Sequence, residues 1–169
     1  MPVRQVFPMQ NDFHQRDRVR EEGICTVSSL QWAKKCLQFN RGIGSYDELG
    51  LSEHQLNALM AVWRRYDNRP KEQTEAMGLR MVGNERRVNG VRIMQGIVAI
   101  TAPYIAIFWN SFHTMGYRVG RNPTEYEWFD KNHGLYLADD ADELCQEMNT
   151  YMNREYLEPI QGVRVVQLL

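Results

Sequence analysis

The sequence predicts an α+β domain in which helices of the N-terminal half pack on an antiparallel sheet of the C-terminal half. Apolar side chains recur at helical spacing from Cys25 to Phe39 and from Leu56 to Trp63. From Tyr104 onward the pattern changes to short apolar or alternating runs, which are typical of strands. Helices followed by antiparallel strands is the order expected of the α+β class.

The length of 169 residues fits one domain, and its N-terminal boundary is predicted near residue 20. Residues 1–20 are polar and without periodicity, so we expect an extended, loosely held arm. Residues 21–169 are expected to form the single folded domain. The arm also has no apolar run of the kind found in signal peptides, so export through a cleaved signal peptide is not expected.

Capping signals mark the second helix. Ser52 and Gln55 form a capping box, and Leu51 and Leu56 can form the hydrophobic staple around it. A helix is therefore predicted to begin at Ser52. Residues 71–81 are expected to form a further helical piece.

Strand patterns dominate the C-terminal half. Tyr104–Trp109 is a continuous apolar run, which predicts a buried strand. His113–Val119 and Glu125–Phe129 alternate on either side of a Gly-Arg-Asn-Pro turn, which predicts a hairpin. An amphipathic helix is predicted over Asp139–Met152, and the β-branched segment Gly162–Leu169 is predicted to be the last strand.

Composition disfavours several classes of protein. The net charge is −1 and the basic residues are scattered, which disfavours a nucleic-acid partner. The longest apolar stretch, Gly96–Trp109, is too short to span a bilayer and contains Pro103. Three cysteines with no Cys-x-x-Cys pair argue against a disulfide framework and for a reducing compartment.

Three residues together suggest a nucleophilic site. Cys25 lies at the start of a helix, where unpaired N–H groups and the helix dipole stabilise a thiolate, although a lone cysteine there is more often a small packing residue. His113 follows a rigid strand, which suits a general base. Asp130 ends the next strand of the predicted hairpin, so its carboxylate can lie near the far imidazole nitrogen.

Two blocks of the chain resemble the YopT-type cysteine peptidases, a papain-like family of bacterial virulence proteases. The first block is Gly23–Cys25 with Trp32 on the same helix. The second comprises His113–Gly116 and Tyr126–Gly134, followed by the helix Asp139–Met152. The resemblance implies a papain-like fold, in which a central nucleophile helix packs on the antiparallel sheet.

The resemblance also implies the activity and its setting. Cys25 would be the nucleophile, His113 the base and Asp130 the group that orients the histidine. The implied function is that of a thiol hydrolase, a cysteine protease that acts as a secreted effector or toxin on a protein of a host or target cell. The protein is then expected in the bacterial cytoplasm, with a chaperone or secretion-system partner, before export into the target cell without a cleaved signal peptide. No cofactor, metal, nucleic acid or membrane span is expected.

The oxyanion hole departs from the papain-like pattern. Papain-like enzymes use a side-chain amide shortly before the nucleophile, whereas Arg20, Glu21 and Glu22 stand there in this chain. Gln15 is the nearest upstream amide, so it is the candidate donor beside the backbone N–H of Cys25.

Other functions remain open at this level. The same triad supports a deamidase or an acyltransferase, because the fold does not choose among these reactions. Lys131 stands where the family usually has a proline, and together with the missing amide it favours a catalytically weak papain-like effector that binds a host protein. A metal protein is disfavoured, because no cysteine and histidine pair has the spacing of a zinc site.

Overall fold

The computed structural model describes residues 3–9, 23–66, 69–83, 85–87, 103–120 and 125–169. These residues form an eight-stranded sheet with helices on both faces. The strands are β1 (Arg4–Pro8), β2 (Leu79–Met81), β3 (Arg86–Arg87), β4 (Tyr104–Trp109), β5 (Thr114–Val119), β6 (Tyr126–Asp130), β7 (Gly134–Ala138) and β8 (Gly162–Leu168). The helices are α1 (Ile24–Phe39), α2 (Glu53–Arg65), α3 (Pro70–Ala76) and α4 (Ala141–Tyr156), with a 3₁₀ turn at Tyr46–Leu49.

The sheet is antiparallel at every described pairing, in the order β1-β7-β6-β5-β4-β8-β2, with β3 also paired to β8. Strands β4 to β7 follow one another as hairpins. Helix α4 then returns the chain to the far side of β4, where β8 pairs. Strands β4, β5 and β6 are therefore neighbours, and β5 and β6 form the predicted hairpin.

Helix α1 packs on one face of this sheet through Trp32. The Trp32 side chain is fully buried, and its ring stacks on Phe129 of β6 with the ring centroids 5.5 Å apart. Gly116 of β5 leaves the room for it, since a Cβ added there would lie 2.4 Å from the indole. The prediction that Trp32 is buried against the sheet is confirmed.

Helix α4 packs on the opposite face and closes a second core. Asp140 caps the helix by accepting a hydrogen bond from the backbone N–H of Glu143, at 2.9 Å. Its buried face comprises Leu144, Cys145, Met148, Tyr151 and Met152, against Met115, Tyr117 and Trp128 of the sheet. The sheet thus separates two apolar clusters, and none of the helices in the described residues has the length and apolarity needed to cross a bilayer.

The second predicted helix is confirmed, and the helix expected over 71–81 is partly wrong. Ser52 caps α2 by accepting from the N–H of Gln55, at 3.2 Å. Helix α3 ends at Ala76, because Gly78 adopts a left-handed backbone with φ +82°, and residues 79–81 then pair with β8 as strand β2. Hydrogen bonds to the edge of β8 therefore determine the structure of residues 79–81, although their sequence continues the helical spacing.

Besides β2, three strands lie where no strand was expected. Residues 4–8 of the predicted loose arm form β1, which pairs with β7 at the edge of the sheet. Only Phe7 of β1 is buried, which explains why the strand leaves little apolar pattern. Strands β3 and β7 were not predicted either. Residues 10–22 of the arm lie outside the described residues.

Candidate active site

Cys25 lies in the first turn of α1, with its side chain partly exposed. The helix is preceded by Gly23, whose φ of +89° and contact with Trp63, 2.4 Å from an added Cβ, both require glycine. The backbone N–H of Cys25 is one of the N–H groups at a helix start that have no partner within the helix. The nucleophile candidate therefore has a free backbone donor beside its own sulfur.

His113 is held at the start of β5 by the turn that precedes it. The Asn110 side-chain oxygen accepts hydrogen bonds from the backbone N–H groups of Phe112 and His113, at 2.8 and 2.9 Å. The imidazole is buried and stacks on the Tyr156 ring, with the ring centroids 3.8 Å apart. These contacts fix both the position and the plane of the imidazole.

Asp130 lies fully buried at the end of β6, and its carboxylate faces His113. The distance between His113 Nε2 and Asp130 Oδ1 is 2.8 Å. The same oxygen accepts from the backbone N–H of Asn132 at 3.0 Å, and the Tyr151 hydroxyl donates to Oδ2. Burial alone would raise the pKa of Asp130, but these donors and the charge of His113 hold the pKa below its ordinary value.

Cys25 and His113 form a hydrogen-bonded pair. Since Nε2 of His113 is bound to Asp130, Nδ1 is the nitrogen left for the Cys25 sulfur. Burial disfavours both charged forms, yet the pair overcomes it: the pKa of Cys25 is lowered and the pKa of His113 is raised to about 9. The geometry therefore favours a thiolate beside an imidazolium.

Thr114 adds further contacts to the nucleophile. Its backbone and its hydroxyl both hydrogen bond to Cys25 and help to lower the pKa of the thiol. The hydroxyls of Thr114 and Thr26 are also 3.0 Å apart, which ties β5 to the first turn of α1. The sequence alone indicated no role for Thr114 in the site, because nothing in the local sequence reveals a contact 88 residues away.

Tyr151 and Tyr156 are two more site residues that the sequence did not single out. Tyr151 lies on the buried face of the predicted amphipathic helix, and its hydroxyl reaches the Asp130 carboxylate. Tyr156 ends that helix and covers the imidazole. Their five-residue spacing on an amphipathic helix is the only sequence signal, and packing explains it equally well.

A cleft of about 550 Å³ opens beside Cys25, His113 and Thr114. Its lining also includes Trp63 of α2 and Trp109 of β4. The site thus has the concave form and mixed polar and apolar lining expected of a substrate cleft.

The remaining site predictions concern Gln15, the other cysteines and metals. Gln15 lies outside the described residues, so its place as an oxyanion donor stays a prediction. Cys36 and Cys145 are buried free thiols, and burial raises the pKa of Cys145 to about 12 and that of Cys36 further. Within the described ranges, no three His, Cys, Asp or Glu side chains are grouped as a metal site would require.

Comparison with known proteins places the fold but not the activity. No protein-family profile matches the chain, and no curated protein matches it. The crystal structure of the Pseudomonas avirulence protein AvrPphB is similar over nearly the full length: it covers 99% of this chain and 97% of its own, with a TM-score of 0.57 at 16% sequence identity. The papain-like α+β fold that the sequence resemblance implied is therefore confirmed.

Proposed function

We propose that this chain is a thiol hydrolase, a papain-like cysteine protease in which Cys25 is the nucleophile, His113 the base and Asp130 the orienting carboxylate. One observation carries the proposal. The three side chains, which lie on a helix start and two strand ends, meet in one hydrogen-bonded line beside a cleft. In this arrangement the thiolate and the imidazolium stabilise each other, which lowers the pKa of the thiol and raises that of the imidazole, as a nucleophile and its base require.

The reaction follows from the charges of the pair. The Cys25 thiolate attacks the carbonyl carbon of the scissile bond, and the negative charge moves to the carbonyl oxygen. The His113 imidazolium gives its Nδ1 proton to the leaving amine as the C–N bond breaks, which leaves an acyl thioester on Cys25. His113, now neutral, takes a proton from water, and the resulting attack releases the acid and restores the thiol.

Asp130 keeps His113 useful in both steps. Its carboxylate accepts the Nε2 proton, so that Nδ1 faces the thiol, and it stabilises the imidazolium before acylation. The backbone N–H of Cys25 can donate to the oxyanion, and Gln15 is the proposed second donor. A protein of a host or target cell is the proposed substrate, with export before action, because AvrPphB is an avirulence protein of Pseudomonas.

A specific observation favours the second candidate, a catalytically weak effector that binds a host protein. Three amide side chains line the cleft within the described residues, and each donates elsewhere. Gln73 donates to the Trp63 carbonyl, Asn110 to the Tyr156 and Glu158 carbonyls, and Asn132 to the Tyr156 hydroxyl. Lacking one oxyanion donor costs about a hundredfold to a thousandfold in rate.

The reactivity of the thiols separates the two candidates without knowledge of the substrate. We expect iodoacetamide at about pH 6 to modify Cys25, which would be ionised well below the ordinary cysteine pKa of about 8.5. Cys36 and Cys145 are internal controls, because burial raises the pKa of both. Peptide mapping by mass spectrometry reads out all three. Equal, slow labelling of Cys25 in the native and in the urea-unfolded protein would remove the enzyme from consideration.

Variants test the roles of the individual residues. Cys25→Ala and His113→Ala should each abolish the release of 4-nitrophenol from 4-nitrophenyl acetate, and the effect in target cells, because nucleophile and base act as a unit. Asp130→Ala should reduce the rate less than either. Acetylated Cys25 should be detectable in the wild type as the thioester. Full potency of Cys25→Ala in cells would instead support the binding protein.

A further inference from the structure

Helix α4 supplies more to the site than its packing face, because two of its tyrosines reach the triad. Tyr151 and Tyr156 are partly or fully buried, and their rings lie edge to face with the ring centroids 5.8 Å apart. Tyr151 contacts the Asp130 carboxylate and Tyr156 covers the His113 ring. The two tyrosine side chains therefore contact Asp130 and His113, the two residues of the triad that act on Cys25.

The hydrogen bonds of these groups have only one consistent direction. Asn132 Nδ2 donates to the Tyr156 hydroxyl oxygen at 2.7 Å. The single proton of Tyr151 goes to Asp130 Oδ2, since a carboxylate can only accept.

We propose that Tyr151, through its hydrogen bond to Asp130, and Tyr156, through its stacking on His113 and its hydrogen bond from Asn132, position the carboxylate and the imidazole for proton transfer with Cys25. Tyr151 occupies Oδ2, which leaves Oδ1 for the His113 Nε2–H and the Asn132 backbone N–H. Stacking of Tyr156 on the imidazole at 3.8 Å blocks rotation of the ring out of this plane. Tyr151 and Tyr156 are thus positioning residues that act through Asp130 and His113.

The Tyr151 hydrogen bond also helps to keep the buried Asp130 carboxylate ionised. Asp130 is fully buried, and an unpaired buried charge would take up a proton. Three donors on its two oxygens offset the lost hydration. In this arrangement the carboxylate cannot swing away from Nε2, so the tautomer with Nδ1 facing the sulfur is retained through the reaction.

Two variants that keep the rings test the proposal, which rests on the proposed function of Cys25 and His113. Tyr151→Phe removes the donor to Oδ2, and Tyr156→Phe removes the acceptor of the Asn132 side chain while it keeps the ring on the imidazole. Tyr151→Phe is expected to slow hydrolysis of 4-nitrophenyl acetate about tenfold, as for one hydrogen bond to a charged group, and Tyr156→Phe about threefold, as for a neutral one, with KM within twofold in both. Each should also move the acid limb of the pH profile for iodoacetamide labelling of Cys25 upward by about half a pH unit, because a poorly aligned imidazolium stabilises the thiolate less.

The matched control is Tyr136→Phe. Tyr136 belongs to the same aromatic cluster, stacked on Trp128, but its hydroxyl accepts from Gln5 on strand β1. It should leave both the rate and the pH profile unchanged. Thermal unfolding of each variant measures any loss of folded protein, which would lower the labelled fraction at every pH. A purely structural role would not shift the acid limb of the pH profile.

The double variant tests whether the two contacts act separately. Since Tyr151 contacts Asp130 and Tyr156 contacts His113, the slowing in Tyr151→Phe with Tyr156→Phe should be about the product of the two single effects. A double variant no slower than Tyr151→Phe alone, or an unmoved acid limb in both single variants, would overturn the proposal. If the wild type itself shows no labelling below the ordinary thiol pKa, the proposed function fails instead, so the two failures are distinguishable.

Discussion

Gly116→Ala should loosen the contact between the nucleophile helix and the sheet. Gly116 lies in the middle of β5, beneath the indole of Trp32, and an added Cβ would lie 2.4 and 2.5 Å from two atoms of its six-membered ring. Real Cβ atoms do not approach this closely, so helix or strand must shift. Trp32 cannot give way easily, because it is fully buried and stacked on Phe129.

The expected cost follows from two opposing effects. Forcing a methyl group into a packed core costs about 1–3 kcal/mol, and the short distance to a rigid ring argues for the upper end. Replacing glycine by alanine also reduces the entropy of the unfolded chain, which offsets about 0.4–1 kcal/mol. The free energy of unfolding should therefore fall by about 2 kcal/mol.

Urea denaturation measures this cost, and two further variants isolate its cause. Gly44→Ala is the matched control, since the nearest atom to its added Cβ is Glu48 Oε1 at an ordinary 3.6 Å; it should change stability by less than about 0.5 kcal/mol. Trp32→Leu should itself be destabilising by about 2–4 kcal/mol. In that background the Gly116→Ala methyl has room, so its cost should disappear.

A cost that stays the same in the Trp32→Leu background would refute this reasoning, because the clash would then not involve the indole. The consequence for the site is measurable too. Thr114 lies two residues before Gly116 on the same strand and hydrogen bonds to Cys25. Gly116→Ala should therefore slow iodoacetamide labelling of Cys25 in the folded protein at about pH 6, whereas Gly44→Ala should not.

Three further predictions concern caps, acid stability and the oxyanion. Ser52→Ala and Asp140→Ala each remove a helix cap and should lower the free energy of unfolding by about 1 kcal/mol in urea titrations, with no change in Cys25 labelling. The pKa of Asp130 is lowered in the folded protein, so the ionised carboxylate contributes to the free energy of unfolding. That contribution is complete above the unfolded pKa of about 3.9 and is lost as the pH falls through the folded pKa. Asp130→Asn should therefore flatten the loss of stability in acid, and an unchanged loss would contradict the assignment. Gln15→Ala should raise the barrier to ester hydrolysis by about 2.7–4 kcal/mol with little change in KM, and an unaltered rate would dispose of Gln15 as the oxyanion donor.

The sequence predicts those elements whose pattern is local. Helix α1 and the hairpin of β5 and β6 are recognisable from the local spacing of their apolar residues, and Ser52 and Asp140 mark helix starts by capping. Cys25, His113 and Asp130 could be predicted as a site because each lies at the end of an element near a recognisable block. The ends of rigid elements are where sequence and site coincide.

What the sequence could not predict depends on distant partners. Residues 79–81 continue a helical pattern, but β8 offers them a strand edge that lies more than 80 positions later in the chain. Strand β1 buries only Phe7, so only its pairing with β7 identifies it. Since β1 includes residues 4–8, deleting residues 1–16 would remove a strand along with Gln15, and a point variant is the cleaner test.

The position of the triad between the two cores explains why both faces of the sheet matter to it. Cys25 belongs to helix α1, which packs on the face with Trp32, whereas Asp130 is held by Tyr151 of α4 on the opposite face. His113, at the start of β5, contacts both helices, through Cys25 of α1 and Tyr156 of α4. A shift of α1 is therefore expected to change the hydrogen bond between His113 and Cys25. A shift of α4 is expected to change the one between His113 and Asp130. This predicts that perturbations of α1 act on thiolate formation directly and perturbations of α4 act through the imidazole, which the labelling profile and the hydrolysis rate can distinguish.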